Sequence, residues 1–212
     1  MSRATPTRQE LQAAYGATIP DLVGPRLRVL LVGINPSLWS GAVGWHFALP
    51  GNRLWRTLHQ AGFSDRQLDP SEGEALLALG VGVTNLVARA TARADELTDD
   101  EIRAGVVSLR GLVERWRPGW VAFLGLSAYR TGFGEPKAGV GPRPERFAGS
   151  RVWVLPNPSG LNAHYQQPAL TQAYAELREA VDTDPGSGGD GGDSAGQPAE
   201  RGDGVRGPTG AA

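Results

Sequence analysis

Four short runs of aliphatic and β-branched residues punctuate the chain, at 28–34 (RVLLVGI), 81–87, 120–124 and 151–155 (RVWVL). The first stops at Asn35-Pro36 and the last at Pro156-Asn157-Pro158-Ser159-Gly160. Continuous apolar runs of this length, closed by turn residues, predict buried strands. Between them the apolar positions recur at helical spacing. Helices are predicted over 52–61 behind a Pro50-Gly51 start, over 70–79 with an acidic first turn, from Thr98 with Glu101 as its capping-box partner, and over 168–181. Strands alternating with helices predict an α/β domain of three layers, α/β/α, around a mostly parallel central sheet. In such sheets ligands gather at the carboxyl ends of the strands. The two polar loops that follow the first and last strands, Gly33-Ile34-Asn35-Pro36-Ser37 and Pro156-Asn157-Pro158-Ser159-Gly160, are therefore the places to look for chemistry. No internal repeat is evident.

Composition divides the chain. Residues 1–18 read as an N-terminal arm with a short helix, 19–182 as one catalytic domain, and 183–212, built mainly of Gly, Pro, Ser, Asp and Ala, as a disordered acidic tail. The formal net charge of −1 conceals this division: residues 1–182 carry 19 Lys and Arg against 17 Asp and Glu, and the remainder is acidic. A slightly basic domain fits a modest affinity for phosphate, and charge alone does not identify a nucleic-acid enzyme. With no cysteine, disulfides, thiolate zinc sites and iron–sulfur clusters are excluded. No stretch has the roughly 20 apolar residues of a membrane span, and residues 1–10 lack the apolar core of a signal peptide, so a cytoplasmic protein acting at the nucleoid, without a membrane partner and monomeric, is expected.

The candidate loops also exclude chemistries. From Gly33 to Ser64, and again from Arg146 to Ala175, there is no Asp or Glu. A cleft kept clear of carboxylates suits an anionic polymer and does not suit paired-carboxylate glycoside hydrolysis. The glycines at 33, 41 and 44 match neither phosphate-binding fingerprint. His46, His59 and His164 lack companion ligands at metal-site spacing, so no metal and no cofactor are expected. Lys137, the one lysine, shows no sign of the buried setting a Schiff-base amine needs. No Gly-x-Ser-x-Gly elbow follows a predicted strand, which removes the α/β-hydrolase reading.

Four motifs in order, Gly33-Ile34-Asn35-Pro36, Gly44-Trp45-His46-Phe47, Pro50-Gly51-Asn52-Arg53-Leu54-Trp55 and Asn157-Pro158-Ser159-Gly160-Leu161-Asn162, resemble the mismatch-specific uracil/thymine-DNA glycosylase family of the uracil-DNA glycosylase superfamily. The likeness runs over residues 19–181. It implies a monofunctional enzyme that flips uracil, preferentially from G·U pairs in double-stranded DNA, and hydrolyses its glycosidic bond. Asn35 matches the residue that orients the attacking water. An amide oxygen can hold that water but cannot take its proton, so slow chemistry is expected, with backbone N–H groups around Ile34 and Phe47 stabilising the departing base.

The resemblance further places Ile34, Ser37, Ser40, His46, Phe47 and Asn157 in the base pocket. Phe47 matches the stacking aromatic, and Ser40 lies near the pyrimidine 5-substituent, where it disfavours thymine. The resemblance makes Ser159, Gly160, Leu161 and Asn162 the wedge and backbone contacts, with Leu161 as the plug that replaces the extruded nucleotide. Bland readings stand beside these: Phe47 as core, Leu161 tucked under its own loop, and Asn157 as a turn former. Three positions depart from the family. Ser37 replaces a common Gly and narrows the pocket mouth, while Asn85 and Ala163 stand where a bacterial relative has Lys and Arg. Two further functions stay open: the same fold acting on hypoxanthine, xanthine or ethenocytosine, and a non-catalytic nucleic-acid binder.

Overall fold

The computed structural model describes residues 5–184. Five strands form one sheet: β1 (Val29–Gly33), β2 (Val81–Asn85), β3 (Trp120–Leu124), β4 (Gly141–Phe147) and β5 (Ser150–Leu155), in the order β2-β1-β3-β5-β4. The first four in that order run parallel, and β4 pairs antiparallel with β5 at the edge. The helices are α1 (Arg8–Ala13), α2 (Leu38–Val43), α3 (Leu54–Gln60), α4 (Ala75–Ala78), α5 (Asp99–Trp116), α6 (Leu126–Phe133) and α7 (Gln167–Thr183). The chain is thus the expected three-layer α/β/α domain.

Period-two alternation in buried strands explains the layers. Val29 and Leu31 of β1, with Trp120, Ala122 and Leu124 of β3, pack under α3, α4 and α7 through Leu54, Leu58, Leu76, Leu170, Tyr174 and Leu177. Leu30, Val32, Val121 and Phe123 face the other way, onto Ile102, Leu109 and Val113 of α5 and Tyr129 of α6. From β1 the chain goes first to β2 on one side and then crosses to β3 on the other, so the connections diverge at β1. Such a divergence opens a crevice at the carboxyl ends of the strands.

Several predicted boundaries shift. The expected helix over 70–79 is a 3-10 turn (Pro70–Glu72) followed by the short α4, with Gly73 between them. A Cβ at Gly73 would lie 2.8 Å from Leu22 Cδ1, so the break accommodates the chain that crosses there. β4 escaped prediction because its sequence, GPRPERF, has two prolines and no alternation. An edge strand tolerates both. Helix α1 opens with a Thr7–Glu10 capping box, and the arm behind it is bonded to the domain through Gly16 N–H to Ala90 O (2.9 Å) and Ala90 N–H to Ala17 O (2.8 Å). The predicted tail lies outside the described residues apart from its first two positions, and these are ordered: Thr183 ends α7, and Asp184 is buried with a carboxylate oxygen 3.2 Å from Arg151 Nη2. No described helix is long and apolar enough to cross a membrane.

Candidate active site

A cleft of about 770 Å³ opens over the carboxyl ends of β1, β2, β3 and β5. Its wall includes Ile34, Asn35, Ser37, Ser40 and Phe47 from the segment after β1, Asn85 at the end of β2, Gly125 after β3, and Asn157, Ser159, Leu161 and Asn162 after β5. Both polar loops singled out in the sequence therefore meet, with Gly160 packed behind them.

Asn35 has its amide orientation fixed. Nδ2 donates to Arg89 O at 3.1 Å and to Thr91 Oγ1 at 2.7 Å. A backbone carbonyl only accepts, so the atom facing it must be the NH2 group. Both amide hydrogens are then used, and Oδ1 is the one polar atom of the side chain without a protein hydrogen bond among the described residues. Thr91 is buried, and its hydroxyl donates to Arg93 O at 2.7 Å while accepting from Asn35, which leaves it no freedom to rotate. The loop is stitched to the same segment by backbone bonds, Thr91 N–H to Pro36 O (3.1 Å) and Leu38 N–H to Thr91 O (3.2 Å). Arg89 is itself clamped by Glu101 at the start of α5, at 2.5 and 3.0 Å. The Arg89 guanidinium holds the Glu101 carboxyl down at about 2, so this clamp is charged at any physiological pH.

The floor of the cleft depends on Gly33. A Cβ there would stand 2.8 Å from Phe47 Cζ and closer still to Asn85 Oδ1, its neighbour across the β1–β2 register. Phe47 is half-buried and holds φ at 52°, a left-handed conformation that non-glycine residues seldom adopt and that is characteristic of constrained sites. Ser37 caps α2: its Oγ accepts from Ser40 N–H at 3.1 Å and donates to Ser40 Oγ at 3.1 Å. Ser40, itself buried, also accepts from Ala48 N–H at 3.2 Å, which ties α2 to the residue following Phe47. The two hydroxyls thus brace the wall that holds Phe47.

His46 does not line the cleft but stands behind Asn85. Its Nε2 lies 2.9 Å from Pro20 O and must therefore carry the proton, leaving Nδ1 as an acceptor 3.4 Å from Asn85 Nδ2. Burial pushes the imidazole below its ordinary pKa, so it is neutral at pH 7. Asn157 shapes its turn, its Oδ1 accepting from Ser159 N–H at 2.9 Å, and it also lines the cleft. Leu161 is 88% exposed, so it is not tucked beneath its loop.

One part of the cleft escaped sequence reasoning. Residues 91–95 form one rim of the cleft although they lie far along the chain from either loop, and they bring Asp95 to it. The cleft is thus not wholly free of carboxylates, although Asp95 is paired with Arg93. Among the described residues no three His, Cys, Asp or Glu side chains cluster to hold a metal ion.

Residues 20–179 match the family model for the Uracil DNA glycosylase superfamily. Among solved structures, the chain is similar to a protein from Methanosarcina acetivorans whose solution NMR structure carries the provisional name uracil DNA glycosylase. The two share 22% identity over 79% of this chain and 98% of the other, with a TM-score of 0.56. At that identity the likeness speaks for the fold.

Proposed function

The chain belongs to the uracil-DNA glycosylase superfamily, a membership that supports DNA glycosylase activity, and from that premise we propose that it is a mismatch-specific enzyme that removes uracil, preferentially from G·U pairs. It flips the base out of the duplex and hydrolyses the glycosidic bond with a water held by Asn35. The observation that carries this reading is the fixed amide: with both Nδ2 hydrogens engaged by Arg89 O and Thr91 Oγ1, Asn35 offers the cleft only an acceptor. An acceptor orients a water by accepting a hydrogen bond from one of its O–H groups, turning a lone pair toward the sugar carbon. It cannot deprotonate the water, so bond breaking must run ahead of attack, helped by backbone amides bordering the cleft at Ile34 and Phe47.

The base would stack on Phe47, an interaction worth about 1–3 kcal/mol. Asn85 Oδ1, at the floor beside Gly33, suits the N3–H of uracil, and His46 holds the other end of that amide. Leu161 would fill the gap left in the helix. The lone lysine, Lys137, is not among the cleft residues, which fits hydrolysis without a Schiff base. The cleft also has room for a purine, so hypoxanthine and xanthine form a second reading of the same site. The test is a panel of otherwise identical duplexes carrying G·U, A·U, G·T, hypoxanthine, xanthine or ethenocytosine, each incubated with the protein and cleaved with alkali. Fastest excision at G·U, with no borohydride-trapped adduct, is the expected result. No excision from any duplex, or a trapped covalent adduct, contradicts the proposal.

A further inference from the structure

Arg53 occupies a position that helix stability does not explain. It stands at the N-terminal boundary of α3 and makes no side-chain cap there. That task falls to Asn52, whose Oδ1 accepts from Leu54 N–H at 3.0 Å. A cation at this end opposes the helix dipole. The guanidinium turns instead into the loop after β5. Nη1 donates to Tyr165 O at 2.6 Å, Nη2 to Ser159 O at 2.6 Å and Asn162 O at 3.2 Å, and Nε to Pro158 O at 3.4 Å, a carbonyl that also accepts the backbone N–H of Arg53 at 3.0 Å. The loop is further pressed onto the chain just before Arg53, because a Cβ on Gly160 would lie 2.6 Å from Gly51 O. Between these anchors, Leu161 projects into solvent.

We infer that Arg53 is the positioning residue for the DNA wedge: its planar fork gathers the carbonyls of residues 158–165 so that Leu161 is presented over the cleft before DNA arrives. This rests on the proposed role of Leu161 as the plug. A loop ordered in advance does not lose conformational freedom on binding, and its wedge enters the stack without rearrangement. The fork is specific to arginine, since a lysine offers one point of charge and cannot span carbonyls on several sides.

The test compares full-length wild type, R53A, R53K, L161A and the R53A/L161A double variant on a G·U duplex with 2-aminopurine beside the uracil. Fluorescence reads extrusion, and product formation with protein in excess reads excision. R53A and L161A are each expected to slow both by about tenfold to a hundredfold, with the double variant within about twofold of the poorer single one, as for residues acting as one unit. R53K keeps the charge and stem, carries the comparison if R53A fails to fold, and should recover little of the loss. Multiplicative losses in the double variant, wild-type behaviour of R53K, or slowed excision with extrusion intact would overturn the role of Arg53. A wild type that excises no uracil would instead strike at the glycosylase reading itself.

Discussion

Replacing Thr91 by valine removes one hydroxyl and nothing else from the shape of the site. Thr91 is 1% exposed, and its Oγ1 joins Asn35 Nδ2 to Arg93 O through two bonds of 2.7 Å. Valine leaves Asn35 anchored by Arg89 O alone, at 3.1 Å, with one Nδ2 hydrogen unsatisfied, and leaves the Arg93 carbonyl only the Glu96 N–H at 3.3 Å. Leaving such partners unsatisfied costs about 1–3 kcal/mol of stability. If about 1–2 kcal/mol of this falls on the orientation of Oδ1, excision slows about five- to thirtyfold. The assay is single-turnover excision from a G·U duplex with protein in excess, alongside duplex affinity by fluorescence anisotropy. T91V should lose rate while keeping affinity, and T91S, which restores the hydroxyl, should recover most of the rate. A T91V enzyme as fast as wild type, or a T91S enzyme as slow as T91V, would refute the view that this hydroxyl sets the Asn35 amide for catalysis.

Gly33→Ala places a methyl group against Phe47 and Asn85 at the cleft floor, so it should weaken the capture of uracil and destabilise the fold by about 1–3 kcal/mol, the usual cost of overpacking. Excision rates and thermal melting check it, and an unimpaired variant would show that the base does not reach this floor. His46 titrates below 6.5 in the folded protein, so the unfolded chain takes up more protons as pH falls through 6.5. Its contribution is therefore complete above 6.5 and is lost on acidification below it. Denaturant melts should show stability declining over that interval, with a shallower decline in H46Q. Activity should fall on the same side, because a protonated Nδ1 no longer accepts from Asn85. An identical pH profile in H46Q would argue against this link.

What the chain disclosed in advance follows from where its local signals are strong. Residues 28–34 announce β1 because every position of Val29–Gly33 is buried, and Thr98 announces α5 because its capping box is local in sequence. Asn35 and Asn157 were legible as cleft residues because polar turn residues directly follow such strands. Helices α2 and α6 were not, being six and eight residues long, too short for the helical repeat to recur more than about twice. Thr91 carries no local mark at all: it reaches Asn35 only because Ser37 and Thr91 pair as backbone neighbours. The same holds for Asp95, which no loop motif contained. His46 was legible as a member of its motif, whereas its place behind Asn85 depends on the chain crossing at Pro20.

The most direct measurement is uracil excision from a labelled G·U duplex by wild type and by N35A, after both are shown to bind the duplex equally. Alanine keeps the cleft open and removes Oδ1, the acceptor to which we assign the water. Excision by wild type with a loss of at least about a hundredfold in N35A is the predicted result. Comparable excision by the two proteins would contradict the assignment of the water to Asn35.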